Sequence, residues 1–169
     1  ARIMYAPAGG VVTGKPATIK FPSGALIRCG HLRDDNAYQK YQGHEYQRMV
    51  IEELTQIPNE ESFLKLASSC RSTVKGIDPQ IFCTANPGGP GHSWVREKWK
   101  IGQKEPNKAF RDPISKRYSI FIPATVDDNP TLMKADPDYV KFLDSLPDGL
   151  REAWRDGTVS YTHLTLPTK

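Results

Sequence analysis

The stretch YQRMVIEEL, residues 46–54, decides the fold. Its apolar run, Met49, Val50 and Ile51, is short and ends in Glu52 and Glu53, which predicts a buried strand delivering two acids at its carboxyl end. Past Pro58, Asn59 can cap a helix in which Phe63, Leu66, Ala67 and Cys70 fall at helical spacing. Gly76 and Pro79 then break the chain before a second apolar strand, Gln80-Ile81-Phe82-Cys83, which runs into TANPGGPGH, residues 84–92. An amphipathic turn over 93–99 follows. Strand, helix and strand in this order predict a right-handed parallel unit.

Ligands of open parallel sheets bind outside the carboxyl ends of the strands. Glu52 and Glu53 leave one strand there, and Thr84, Asn86 and the pair Gly88 and Gly89 leave the other. In an ATPase the first acid would hold magnesium, usually through water, and the second would orient or deprotonate the attacking water. Asn86 could sense the terminal phosphate or that water.

A second stretch, GGVVTGKP (residues 9–16), fits the phosphate-loop pattern GxxxxGK[ST] except at its last position. Pro16 has neither the hydroxyl that would bind magnesium nor an N–H for phosphate. The following ATIKFPSGALIRCGHL, residues 17–32, reads as two short strands around a turn at Pro22, Ser23 and Gly24, not as the helix a phosphate loop must open. The stretch is therefore expected to be a turn before a strand, and Lys15 to tolerate substitution.

Composition sets broad bounds. The 169 residues are 38% hydrophobic and 25% charged, enough for one domain with a real core. A net charge of +4 and a pI near 8.9 permit a polyanionic partner. No long Lys/Arg run, membrane span, signal pattern or repeat is present. Cys29, Cys70 and Cys83 lack CxxC spacing and read as buried free thiols in a reducing compartment. The terminal TVSYTHLTLPTK, residues 158–169, differs in character from the acidic WRDG before it. Residues 159–168 match one translated frame of a sequencing-transposon end, so this tail is read as adapter sequence and set aside. The natural protein would then continue beyond Gly157.

The ordered runs FPSGALIRCGHL (21–32), YQKYQGHEYQRMVIEELTQIP (38–58), CTANPGGPGHSWVREKW (83–99), FIPATVDDNPTL (121–132) and DPDYVKFLDSLPDGLREAWRDG (136–157) resemble the large terminase subunit of tailed bacteriophages. The resemblance implies a P-loop NTPase-type α/β fold, a parallel sheet with flanking helices, here incomplete. It implies an ATPase that drives double-stranded DNA into a procapsid. Portal protein, small terminase subunit and a homo-oligomeric ring would be its partners, in the host cytoplasm and transiently at the portal vertex. Residues 1–130 would be the later part of the ATPase core and 131–157 a helical linker toward a nuclease domain.

Carried over residue by residue, Glu52 takes the Walker B magnesium position and Glu53 that of the catalytic carboxylate. Thr84, Ala85, Asn86 and Pro87 take the coupling motif. Gln42, Gly43, Arg71, Gly88 and Gly89 are expected near nucleotide, Arg71 at a neighbouring subunit's or otherwise as a solvated surface residue. The cofactors implied are ATP and Mg²⁺. Glu52 stands where the family more often has Asp, and the family's true phosphate loop would lie before Ala1, so this stretch alone is not expected to hydrolyse ATP. A helicase-like DNA-dependent ATPase and a non-catalytic portal-binding module remain alternatives.

Residues 120–125 read as a further strand. Asp127 and Asp128 suit turn-forming or capping roles better than a phosphate-bound metal. Asp136 and Pro137 start a helix through Tyr139, Val140 and Leu143, which breaks at Pro147 before a helical segment over 150–155. His31, His44 and His92 fit no zinc spacing, and His92 suits a loop-fixing hydrogen bond better than a phosphate contact. Trp94, Trp99 and Trp154 read as core residues, and the basic stretch 96–117 as a solvated loop or one near a DNA backbone.

Overall fold

The computed structural model describes residues 2–32 and 37–157 as a mixed α/β protein with small sheets. Residues 158–169, read as adapter sequence, lie outside the described residues. The chain forms two compact units, Ala1–Gln42 and Gly43–Lys169.

In the first unit a short helix α1 (Arg2–Tyr5) and a 3₁₀ turn (Ala6–Ala8) lead into an antiparallel sheet of β1 (Val11–Thr13), β2 (Thr18–Lys20) and β3 (Leu26–Arg28), in that order. The expected hairpin is β2–β3: Gly24 donates its N–H to Phe21 O at 2.9 Å and takes a φ of 87°, a conformation that glycine reaches without a Cβ penalty. The stretch GGVVTGKP is more than a turn, because Val11, Val12 and Thr13 pair with Lys20, Ile19 and Thr18. Three consecutive β-branched residues between glycines favour that strand. Ile19 is buried, and Tyr5 meets Phe21 edge to face at 5.9 Å. Cys29 is exposed rather than buried: it follows β3, whose three residues are all exposed, at the edge of a sheet too small to cover both faces.

The second unit is built on the expected parallel pair. β4 (Arg48–Ile51) and β5 (Gln80–Cys83) align Met49 with Ile81, Val50 with Phe82 and Ile51 with Cys83. Side chains alternate across a strand, so Met49, Ile51, Ile81 and Cys83 turn to the interior while Val50 (66% exposed) and Phe82 (61%) share the open face. Only one face is covered, whereas a run of consecutive apolar residues predicts burial on both.

Between the strands lies α2 (Glu60–Ala67), capped by Asn59, whose side chain accepts the Ser62 N–H at 2.9 Å. After the second strand comes α3 (His92–Lys98). Phe63 packs against Trp94 and Trp99 with ring centroids 5.4 and 5.6 Å away, and Trp94 Nε1 donates to Ile57 O at 2.8 Å. Ile51, Leu54, Phe63, Leu66 and Val95 are buried in this unit. Cys70, also buried, bridges to Tyr46, so the chain leaving α2 returns to the amino end of β4.

A hairpin follows, formed by β6 (Phe110–Arg111) and β7 (Tyr118–Ser119). The strand expected over 120–125 is absent: the ladder stops at Ser119, and Asn107 N–H to Phe121 O is the main-chain link beyond it. Pro123 has no N–H to offer a ladder, and Ile120 and Ile122 are exposed.

Three helices complete the unit: α4 (Pro130–Ala135), α5 (Pro137–Asp144) and α6 (Asp148–Trp154). Asn129 and Asp136 cap the first two through their side chains. Asp127 and Asp128 are structural. Asp128 makes a reciprocal capping box with Thr125, and Asp127 receives two hydrogen bonds from Arg155, whose Nε also reaches Asp144 at 3.1 Å. Trp154 is 55% exposed, not core. On α6 the inward position belongs to Ala153, and the next residue is rotated about 100° away.

Candidate functional site

The register that pairs Ile51 with Cys83 sets the ends of the two strands side by side. Thr84 N–H donates to Ile51 O at 3.0 Å, and Leu54 N–H donates to Thr84 O at 2.8 Å. Between these bonds the chain turns sharply, and Glu53 takes φ 51° and ψ 48°, with its N–H 3.3 Å from Thr84 Oγ1. A non-glycine residue in this left-handed region costs about 1–2 kcal/mol, and such residues concentrate at functional sites. Both Glu52 and Glu53 are exposed at the carboxyl end of β4, as are Thr84, Ala85 and Asn86 after β5.

The glycine-rich loop is stitched to the turn beneath the acids. Buried Thr55 donates its hydroxyl to Asn86 O at 2.7 Å and accepts the Gly91 N–H at its carbonyl, also at 2.7 Å. A Cβ on Gly89 would lie 2.5 Å from Thr55 O, and one on Gly91 would lie 2.0 Å from Ile57 O. Gly88 has φ +92° and donates its N–H to His92 Nδ1 at 3.2 Å, while Gly89 O accepts the His92 N–H at 3.0 Å. The amide of Gly88 is thus engaged by His92, and Gly89 is required by close packing against Thr55. Gly91→Ala is expected to displace the loop from the 54–57 turn and lower the urea midpoint of unfolding well below that of Gly149→Ala, where a Cβ meets nothing within 4 Å.

His92 fixes the loop as an acceptor, so its imidazole is neutral there. Burial first, and then the nearby Arg96 charge, hold its pKa below the ordinary value. A lowered pKa means that the unfolded chain takes up the proton first. Stability from this group is therefore complete above about pH 6.5 and declines as the pH falls from there through the folded value. Urea unfolding followed from pH 8 to 5 is expected to show this decline, and His92→Ala to flatten that part of the profile.

Not all candidate residues converge. Arg71 donates its N–H to Tyr46 O at the amino end of β4, where Glu45 also binds Thr73. The five residue steps from Tyr46 to Ile51 span roughly 16 Å of strand, so Arg71 stands apart from Glu52 and Glu53 of its own chain. Gly43, with φ 78°, enters β4 from that same end, and Gln42 belongs to the first unit. Sequence reasoning missed Thr55 and Gly91, which join the two strand ends. The density of glycine in 88–91 was the only signal of that close packing.

Among the described residues, no three His, Cys, Asp or Glu side chains group as a metal site. Two surface concavities, one lined by Pro130, Thr131, Lys134 and Ala135 and the other by Ser93, Arg96, Glu97 and Gln103, contain none of the candidate residues. Cys83 is an inert thiol, pushed up to about 11 by burial. No described helix is long and apolar enough to cross a membrane. No family model, curated protein or solved structure matches the chain.

Proposed function

We propose that this chain is part of the ATPase core of a viral DNA-packaging motor, a large terminase subunit with a P-loop NTPase-type fold. The observation that carries the reading is the parallel juxtaposition of Glu52 and strained Glu53 with Thr84, Ala85 and Asn86 at one sheet end. Glu53 would orient or deprotonate the attacking water, and the 84–87 segment would pass the phosphate state to the loop that ends at α3. Hydrogen bonds of Thr84 and Asn86 to the acid turn supply a physical link for such coupling.

Magnesium in NTP sites takes one or two carboxylates and completes its shell with waters and substrate phosphates. An exposed Glu52 at the strand end fits that donor set through an intervening water, and the longer reach of Glu relative to Asp is compatible with such a contact. When bound, the ion would neutralise charge on the phosphates. Double-stranded DNA, a portal protein, a small terminase subunit and further copies in a ring are the partners this reading implies. Its setting would be the host cytoplasm and the procapsid portal vertex.

The test is phosphate release from ATP by the full-length gene product, with and without Mg²⁺ and duplex DNA. Magnesium-dependent release supports the reading. Its absence under all these conditions would remove the ATPase assignment.

A further inference from the structure

The hairpin at 110–119 has a feature that the ATP site does not use. Register pairs Phe110 with Ser119 and Arg111 with Tyr118, so each pair shares a face. Phe110 and Ser119 are half-buried, whereas Arg111 and Tyr118 face solvent with the guanidinium 6.0 Å from the ring centroid. At the tip, Asp112 accepts the N–H groups of Ile114 and Ser115 through its carboxylate, which shapes the turn and keeps the carboxylate ionised. Arg111 Nε donates to Lys116 O, tying the two arms. Ile114 is 91% exposed and Tyr118 74%.

Part of the basic stretch before the hairpin is neutralised by ion pairs. Lys98, Lys100 and Lys108 each pair with a glutamate. No carboxylate of the described residues forms an ion pair with Arg111, Lys116 or Arg117. Two cations, Arg111 and Lys116, an exposed ring and an exposed aliphatic tip therefore project from one braced turn, while the Arg117 guanidinium reaches back to Cys70 O at 3.5 Å.

We propose that this hairpin is a duplex-DNA contact, in which Arg111 and Lys116 bind phosphates and Tyr118 and Ile114 lie against the sugars and groove edge. Cations supply the sequence-independent affinity for a phosphate backbone, guanidinium groups suit phosphate geometry, and apolar side chains enter minor grooves beside them. A lipid surface fits less well, because Arg111 lies over the Tyr118 ring on the same face and keeps it from inserting freely. The inference rests on the duplex-DNA partner proposed above, but its test requires no nucleotide, so its failure is separable from failure of the ATPase reading.

The experiment is fluorescence-anisotropy titration of a random-sequence DNA duplex with the chain over a range of salt. Arg111→Gln combined with Lys116→Gln is compared with Lys75→Gln combined with Lys134→Gln, which removes equal charge from exposed sites elsewhere. Loss of two phosphate contacts should lower the slope of log affinity against log salt by about two and weaken binding roughly tenfold at moderate salt. The control pair should leave the slope nearly unchanged, Arg111→Lys should retain most binding, and Tyr118→Ala should weaken binding without changing the slope. Circular dichroism checks that each variant folds. Equal weakening by both double variants, no duplex binding by the parent chain at low salt, or preferential binding to phosphatidylserine vesicles would each overturn the proposal.

Discussion

Glu53→Gln in the full-length protein is expected to lower steady-state ATP turnover by about 10²–10⁴-fold, the usual range for a lost general base, while ATP binding persists. Glutamine preserves the length and planarity of the side chain but cannot accept a proton. Its backbone can keep the left-handed conformation, because the bonds from Leu54 N–H to Thr84 O and from Thr84 N–H to Ile51 O are made by main chain. Phosphate release and equilibrium binding of labelled ATP separate the two effects. Turnover unchanged in the variant would end the catalytic assignment.

The backbone at this position allows a second discrimination. Glycine adopts φ 51° without the Cβ penalty. Glu53→Gly is therefore expected to be as inactive as Glu53→Gln yet to unfold at an equal or higher urea concentration. A residue kept only for folding would show the reverse, with glycine tolerated in activity. Strain retained at a carboxylate that glycine could relieve is what a functional role predicts.

The other large effect is expected at Phe63→Ala. Phe63 is 3% exposed and forms a three-ring cluster with Trp94 and Trp99, whose own centroids are 6.2 Å apart, with Lys98 Nζ 5.5 Å from its ring centroid. Truncating such a side chain removes its burial and leaves a cavity that rigid indoles fill poorly, at a cost of about 3–5 kcal/mol. Domains have only about 5–15 kcal/mol in total, so the variant should unfold at a much lower urea concentration. Fluorescence of Trp94 and Trp99 reports the event directly. Leu64→Ala, at a half-exposed site on the same helix, is expected to stay within about 1 kcal/mol of the parent. Equal losses at the two positions would show that the aromatic cluster is not the centre of this core.

Much of the secondary structure of both units was legible because its signals are local. Apolar runs flanked by breakers marked β4 and β5, Asn59 and Asp136 announced helix starts, and Pro22, Ser23 and Gly24 marked the first hairpin. The consecutive apolar Ile-Phe-Ile of 120–122 misled for the opposite reason: a strand needs a partner, and the ladder of β6 and β7 ends at Ser119. Trp154 and Cys29 misled because hydrophobic character does not state which face an element turns inward. Ala153 took the buried position on α6, and the small first sheet left Cys29 at an open edge.

The candidate site divides along the same line. From the sequence alone came its parts: two acids closing one apolar run, and a polar, glycine-rich segment closing another. The strand–helix–strand order already put them at one sheet edge, but only the tertiary structure decided which atoms touch, since Glu53 and Thr84 are 31 residues apart and their contact follows from the parallel register. It also separated Arg71 from the acids and packed Gly89 and Gly91 against Thr55 and Ile57. Propensities and caps act over a turn or two of chain, whereas register, burial and close backbone approach are settled by the summed packing of residues distant in sequence.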